Sequence, residues 1–321
     1  MNLLEQSWYQ KNHWLSWLLL PLTALYWLLS TGRRLLFRSG ILRRHQLPVP
    51  LVIVGNISVG GTGKTPFTLW LCQQLLAKGV RPGIISRGYG AKINVPTRVN
   101  TDSLACHVGD EPLLLARRSQ CPVVVCPDRV AAARALLDQY PVDMIICDDG
   151  LQHYRLARDL EIVLVDGKRG FGNGLLLPSG PLRELPSRLA SVDMVIANSG
   201  EVPQADYQMQ ISGNEAKNLL GKAPLLPCDV TLVAGIGNPQ RFLLSARLAG
   251  FNVIGQRFFA DHHQFTATDF AGISGPVLMT EKDAVKCQLF ARDNWYFLAV
   301  TASFDSEQGA EIVTKITRLL E

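Results

Sequence analysis

The sequence has no C-x-x-C pair, no internal repeat and no low-complexity tract. Each absence removes a class of protein. The seven cysteines (72, 106, 121, 126, 147, 228 and 287) are scattered. They give no metal-site signal and suit a reducing compartment. Cys72, Cys126 and Cys147 lie in apolar runs and read as small buried hydrophobes. Charge is sparse, at 18% of residues, and the formal net charge of +5 is too modest to mark a nucleic-acid surface by itself. With 47% hydrophobic residues the chain is not a disordered one. Its 321 residues are enough for two domains with a sizeable core.

What is present begins with an unusual N-terminal segment. Residues 14–30 read WLSWLLLPLTALYWLLS, seventeen positions without a charge and with Pro21 inside. Trp14, Trp17, Tyr26 and Trp27 are of the types that settle at a membrane interface. Arg33, Arg34, Arg38, Arg43 and Arg44 follow, a cluster that favours anionic headgroups and keeps the downstream chain on the cytoplasmic side. No A-x-A cleavage site marks a signal peptide. A buried core helix is the plainer alternative. The expectation is membrane association, as a tilted span or an interfacial helix.

Short apolar runs then recur at residues 51–54, 83–86, 123–126, 144–147, 161–165 and 194–197, alternating with helical patterns at 68–77 and 130–139. This predicts an α/β fold with a parallel sheet covered on both faces. From about residue 200 the texture changes. Tyr207, Met209 and Ile211 alternate with polar residues, and strand-like runs follow at 231–234, 253–259, 277–279 and 296–300. The expected organisation is an N-terminal helix and basic linker (1–48), a main domain (49–205), a smaller α/β unit (206–305) and a terminal amphipathic helix (306–321), the last on the helical spacing of Ile312, Val313, Ile316, Leu319 and Leu320.

Residues 51–68, LVIVGNISVGGTGKTPFT, carry the strongest chemical signal. A strand runs into a glycine-dense loop ending in Gly63-Lys64-Thr65, with a helix expected next. Such an order lets backbone N–H groups wrap phosphate oxygens, a lysine reach the β/γ-phosphates and a threonine hydroxyl ligate Mg²⁺. Ser58, Val59, Gly60, Gly61, Thr62, Gly63, Lys64 and Thr65 are thus the expected nucleotide cradle of a P-loop protein binding ATP or GTP. Ser58 stands where the strict pattern has glycine. Asp148 and Asp149 end an apolar run, the place where P-loop proteins hold Mg²⁺, and Gln152-His153 lie in the polar turn beyond. Arg87, in Ser86-Arg87-Gly88-Tyr89-Gly90, is equally consistent with a phosphate contact and with a solvated turn. Asp110 and Glu111 precede a helix and read first as caps. The stretch 167–186, with five glycines and three prolines, reads as a functional loop whose Lys168, Arg169, Arg183 and Glu184 suit anions or a Mg²⁺ shell. Adjacent His262 and His263 diverge too much to share a metal; either is open to acid/base work or to an incidental surface role.

Together the N-terminal helix with its arginines, residues 55–66, Ser86–Gly90, Val108–Pro112, Asp148–His153, Pro178–Glu184, Asp261-His262 and Thr280–Asp283 resemble the tetraacyldisaccharide 4'-kinase family of lipid A biosynthesis, over nearly the whole chain. The Ser58 variation belongs to that pattern. The resemblance implies ATP-dependent phosphoryl transfer, with Mg²⁺, to the 4'-hydroxyl of an acylated glucosamine disaccharide 1-phosphate, giving lipid IVA. It implies an enzyme on the cytoplasmic face of the inner membrane, in contact with its phospholipids, with neither nucleic acid nor an obligate protein partner. It makes Asp110 the base with His262 as its partner and Lys64 a catalytic cation. It assigns Thr65, Asp148, Asp149 and Glu184 to the metal and Arg87, Tyr89, Gln152 and Arg183 to substrate or phosphate. The competing classes are a membrane-associated P-loop GTPase or a metallochaperone-type ATPase. In Thr280-Glu281-Lys282-Asp283 the lysine stands one place late for the guanine signature N/T-K-x-D. A tethered adaptor with a dead site is disfavoured by the presence of Lys64, Thr65 and Asp149.

Overall fold

Apolar runs too short for helices and hydrophobic at successive positions are stable only as strands covered on both faces. The computed structural model, which describes residues 3–321 (the Asn214 side chain excepted), forms them into one twelve-stranded sheet. The strands are β1 (Leu51–Gly55), β2 (Pro82–Ser86), β3 (Thr97–Val99), β4 (Val123–Val125), β5 (Met144–Asp148), β6 (Leu160–Asp166), β7 (Met194–Asn198), β8 (Tyr207–Asn218), β9 (Asp229–Ala234), β10 (Asn252–Phe258), β11 (Val277–Thr280) and β12 (Trp295–Ser303). Their spatial order is β10-β9-β11-β12-β8-β7-β6-β1-β5-β2-β4-β3. Pairing is parallel except at β3–β4 and β8–β12. The short edge strand β3 carries no apolar run and was not expected.

Ten helices are described. α1 (Leu3–Trp8), α2 (Trp14–Leu18) and α3 (Leu20–Arg38) precede the sheet. α4 (Lys64–Ala77), α5 (Ala105–Val108), α6 (Asp110–Ser119) and α7 (Arg129–Gln139) connect the early strands. α8 (Pro239–Leu248), α9 (Glu281–Cys287) and α10 (Ser306–Thr317) belong to the later part. One face of the early sheet packs residues such as Phe67, Leu71 and Leu113 against Met144 and Ile146; the other packs Ala132, Ala133 and Leu136 against Ile145 and Cys147. The later strands have cores of their own on either face. α10 does not stay with them. Its Ile312, Val313 and Ile316 join Phe67 and Trp70 of α4, and Phe304 stacks 4.5 Å from the Trp70 ring. All seven cysteines are free thiols, and Cys72, Cys126 and Cys147 are buried.

The N-terminal run departs from one expectation. It divides at Leu19 into α2 and α3, and Pro21 sits in the first turn of α3, where its missing N–H costs nothing, rather than interrupting a span. No helix among the described residues is long and apolar enough to cross a membrane, so the tilted-span option is withdrawn. α3 instead lies against the protein, with Thr23 and Phe37 buried while Leu22, Leu25 and Leu29 are exposed along another side.

Phe67 is wholly buried at the junction of α4, Trp70 and Phe304. Phe67→Ala is expected to cost about 3–5 kcal/mol of unfolding free energy through lost burial and a cavity. Chemical denaturation checks this, and a cost under about 1 kcal/mol would mean that the junction closes around the gap.

Candidate active site

The sheet brings the singled-out loops to one end. Val54 of β1 pairs with Asp148 of β5, so the glycine loop and the Asp148-Asp149 turn leave the carboxyl end side by side. Ser86 at the end of β2 donates its hydroxyl to Asp148 at 3.3 Å. The glycine loop is braced from the 167–186 segment. Val59 N donates to Pro181 O at 2.8 Å, Arg183 N donates to Ile57 O at 2.7 Å, and Ser58 bridges Leu182. Inside the loop, Asn56 Nδ2 donates to Ser58 O at 2.6 Å and Asn198 Nδ2 to Thr62 O at 2.9 Å. Gly63 is the N-cap of α4 at φ +96°, and a Cβ there would stand 2.5 Å from Asn198 Nδ2 and 2.9 Å from Met209 Cε. Only glycine fits both the backbone and the space. Lys64 and Thr65 open the helix, half-buried, and the Thr62 hydroxyl is buried without a partner.

Two adjacent carboxylates meet opposite surroundings. Burial, reinforced by the charge of Glu111 and opposed by Lys64, pushes Asp148 up to about 7, and its Oδ1 has no hydrogen-bond partner. Burial would raise Asp149 too, but Lys64 at 3.4 Å and Arg183 at 2.9 Å bring it down to about 2. Arg183 Nη1 also reaches Gln152 Oε1 and Asn56 Oδ1, each at 3.4 Å.

Glu184, expected in a metal shell, is held by four side chains. Its buried carboxylate accepts from Gln152 Nε2 at 2.8 Å and Tyr154 OH at 2.7 Å, and it pairs with Arg188 at 3.3 Å and Arg34 at 3.7 Å. Both its oxygens are hydrogen-bonded, and one of them orients the Gln152 amide.

Across the cleft, Asp110 is the first residue of α6 behind Gly109, whose φ of +91° and closeness to Tyr89 O (2.8 Å from a Cβ) admit no side chain. Gly109 is the N-cap, and Asp110 at the first helical position also caps in part, its Oδ1 accepting from Glu111 N at 2.9 Å. Asp110 is 5% exposed and turns toward the later part of the chain, where His262 Nδ1 stands 3.0 Å from Oδ2 and 3.2 Å from Oδ1. His262 is held at φ +60°, its N–H donating to Gly235 O, while Gly235 N donates to the buried Asp283 carboxylate at 3.0 Å. Burial alone would raise Asp110 and lower His262. Their mutual hydrogen bond reverses both, aided at Asp110 by Lys282. The Tyr89 ring lies 4.8 Å from that of His262. His263 faces away, 3.2 Å from Asp269 and stacked on Phe259, so it is His262 that meets Asp110.

These groups line a cleft of about 450 Å³ walled by Tyr26, Arg33, Arg87, Tyr89, Asp110, Asp148, Asp149, Gln152 and Arg183, among others. Arg87 and Tyr89 are exposed at its rim. Among the described residues no three His, Cys, Asp or Glu side chains gather as a metal cage. Four contributors were not foreseen. Asn198 ends β7 as Asp148 ends β5, and the same strand-end logic applies to it. Arg241, which reaches Asp166 at 3.2 Å and Asn198 at 3.0 Å, carries no sequence signal. Tyr26 and Arg33 come from the N-terminal helix: Tyr26 OH donates to Arg183 O at 2.9 Å and Thr23 to Ser179 Oγ at 2.7 Å.

The arrangement defines a class: an α/β protein whose mostly parallel sheet opens at its carboxyl end into a cleft of paired carboxylates, arginines and a glycine loop. Comparison makes it particular. The family model for tetraacyldisaccharide-1-P 4'-kinase matches residues 15–318. The chain is 47% identical over 320 residues to the tetraacyldisaccharide 4'-kinase of Actinobacillus succinogenes, covering 98% of each, and 46% identical over 321 residues to that of Pasteurella multocida, again covering 98% of each. Its fold matches a crystal structure of LpxK from Aquifex aeolicus in complex with ATP, with a TM-score of 0.81 and 29% identity over 96% of this chain and 100% of that one. The chain belongs to the tetraacyldisaccharide-1-P 4'-kinase family.

His153 generates a pH expectation. Burial beside the charges of Arg129, Arg33 and Arg155, against the opposing pull of Asp128, lowers its pKa from 6.5 to about 4, and its Nε2 is buried without a partner. The folded protein therefore binds this proton more weakly than the unfolded chain. Its contribution is intact above pH 6.5 and is lost as pH falls toward about 4. His153→Gln should shrink the fall in urea midpoint between pH 7 and pH 5; an unchanged fall would show that the imidazole is not held neutral.

Proposed function

We propose that this protein is an ATP-dependent kinase that phosphorylates the 4'-hydroxyl of tetraacyldisaccharide 1-phosphate, forming lipid IVA in lipid A biosynthesis. Beyond family membership, one observation carries the reading: a buried carboxylate paired with a histidine, Asp110 with His262 at 3.0 Å, lines the same cleft as Asp148, Asp149 and Arg183, and Asp149 pairs with Lys64 of the glycine loop. On this reading residues 58–65 are a P-loop cradling the ATP phosphates, with Lys64 and Arg183 neutralising the charge that spreads over the transferring group. The acceptor oxygen attacks the γ-phosphorus, its proton passes to Asp110, and the bond to the β-phosphate oxygen breaks as ADP leaves. Arg87, Tyr89 and Gln152 line the acceptor side.

The residues present fit Mg²⁺. That ion takes one or two carboxylates and completes its shell with phosphate oxygens and water, so a full protein cage is not needed. The unpartnered Asp148 Oδ1 supports such a site, and Asp149 and the Thr65 hydroxyl would be the other protein ligands. When bound, the ion would neutralise phosphate charge during transfer.

The division proposed for the chain keeps 1–48 as a membrane-associated segment, 49–205 as the P-loop domain, 206–305 as the smaller unit and 306–321 as the terminal helix. α3 is read as interfacial. Its inner side carries Thr23, Tyr26 and Arg33 to the site while Trp17, Leu18, Leu22, Leu25, Trp27 and Leu29 are exposed. Its partners on this reading are the phospholipids of the inner membrane's cytoplasmic face and the lipid acceptor.

The direct test is transfer of labelled γ-phosphate from ATP to tetraacyldisaccharide 1-phosphate, with GTP and with no acceptor as controls. Lys64→Ala should cut kcat by roughly 100- to 1000-fold with the fold retained. Acceptor-independent GTP hydrolysis, or near-normal transfer by the variant, would overturn the assignment. For the membrane reading, the double variant Leu25→Glu, Leu29→Glu should weaken flotation with anionic vesicles at least about tenfold, since each leucine forfeits ~1.5 kcal/mol or more of burial. Undiminished flotation would place the contact elsewhere.

A further inference from the structure

The Asp110–His262 pair leaves one imidazole nitrogen to be accounted for, and its neighbour is unusual. His262 Nε2 faces Lys282 Nζ at 3.3 Å. A lysine ammonium has three donors and no acceptor, so this contact is a hydrogen bond only if Nε2 carries a lone pair. The same ammonium donates to Glu111 at 3.0 Å and to Asp261 at 3.4 Å, and lies 4.0 Å from Asp110 Oδ2. Burial would lower Lys282, but Glu111, Asp110 and Asp261 outweigh it and hold the lysine firmly charged. Lys282 is the second residue of α9, whose start is fixed by Thr280 and by the buried Asp283 carboxylate on Gly235, the residue whose carbonyl also holds His262.

We propose that Lys282 is a positioning residue that holds His262 as a neutral imidazole with its proton on Nδ1, so that Asp110 is oriented by a hydrogen bond yet is not locked into an ion pair with an imidazolium. The inference deepens the assignment of Asp110 as the base and rests on it. The logic is a balance of charges. Burial disfavours a second proton on His262, but Asp110 and Asp261 outweigh it and raise the imidazole above its ordinary value, and Lys282 limits that rise. Lys286 stands 3.9 Å from Asp110 and is itself committed to Asp283 at 2.7 Å, Glu111 is occupied by Lys282, and the Tyr89 ring packs on the imidazole without a charge. No other cation touches His262 among the described residues. Were the imidazole to take a second proton, Nε2–H would point at an ammonium, and Asp110 would spend its charge on its partner instead of the acceptor hydroxyl. The lysine of the Thr280–Asp283 stretch, which fails as a guanine-recognition element, thereby acquires a role.

The experiment uses the full chain in detergent with ¹⁵N-histidine labelling. In the wild-type protein near pH 7.5 the His262 resonances, assigned by their loss in His262→Gln, should be those of the neutral Nδ1–H form. In Lys282→Met they should move to the imidazolium pattern at the same pH, and Lys282→Arg should restore the neutral pattern at least in part. In the transfer assay, Lys282→Met should lower kcat on the order of tenfold or more and move the acidic limb of its pH profile upward by about one unit, because a cation within a few ångströms no longer opposes proton uptake. KM for ATP should stay within about twofold, since the hydrogen bonds and ion pairs of the lysine go to Glu111, Asp261, His262 and Asp110. A wild-type His262 found as Nε2–H or as imidazolium overturns the proposal without recourse to any variant. So does a neutral His262 with an unshifted limb in Lys282→Met. The nitrogen spectrum needs no substrate, so a protein lacking kinase activity would sink the functional reading while leaving this measurement to decide its own question.

Discussion

Everything at the site depends on one strand having two neighbours of opposite sense. β8 pairs parallel with β7 through Tyr207–Met209 and antiparallel with β12 from Gln210 to Asn218. That double pairing makes the early and later strands one sheet, and it fixes where the turn after β10 falls relative to the start of α6. His262 and Asp110 are 152 residues apart in sequence, yet they meet at 3.0 Å. β8 also reaches the glycine loop. Met209 and Ile211 fill the space beside Gly63, so the strand that sets the angle of the later part also backs the loop of the earlier one. Phe304 and α10 close the same joint from the other end of β12 by packing on α4.

Within that frame the charges are sorted by what surrounds them and not by their own chemistry. Asp148 and Asp149 are consecutive, yet one is pushed up to about 7 and the other down to about 2. β5 ends at Asp148, which points among buried groups, whereas Asp149, at φ +50°, turns out toward Lys64 and Arg183. On the kinase reading a phosphate in the glycine loop would meet those same two cations, so binding would exchange one anionic partner for another and leave neither cation stranded. Environments that separate the proton affinities of like groups are how one site holds both a proton donor and a permanent anion.

The sequence made the strands legible because a strand covered on both faces must be apolar at successive positions. Runs at 51–54, 144–147, 161–165 and 194–197 fall inside β1, β5, β6 and β7. β3, three residues at a sheet edge, needs no such run and left no trace. The loop at 55–65 and the carboxylates at 148–149 were readable for a related reason, since chemistry at a strand's end is marked by the strand before it. Residues that act across the chain carry no such mark. Asn198 is readable afterwards as a strand end, but the side chains of Arg241 and Lys282 meet partners such as Asn198 and His262, 43 and 20 residues away in the chain, respectively. Glu184 shows the same limit: its place in a glycine-rich loop gives no sign of Gln152, Tyr154, Arg188 and Arg34 around its carboxylate.

The position of α3 ties the site to the surface it works on. A helix merely anchoring a domain has no reason to touch catalytic loops, but α3 hydrogen-bonds the 176–183 segment through Thr23 and Tyr26, and Arg33 donates to Gln152 O at 3.4 Å. Through Arg34 it also reaches Glu184, which orients Gln152. The apolar side lies away from these contacts, with Leu22, Leu25 and Leu29 spaced along the helix and exposed. A helix lying in an interface with that side down places its arginines and the cleft mouth at headgroup level. On the kinase reading this is what a tetraacylated disaccharide requires: the chains stay in the bilayer, only the polar disaccharide rises into the cleft, and its hydroxyl reaches Asp110 without drawing the acyl chains through water.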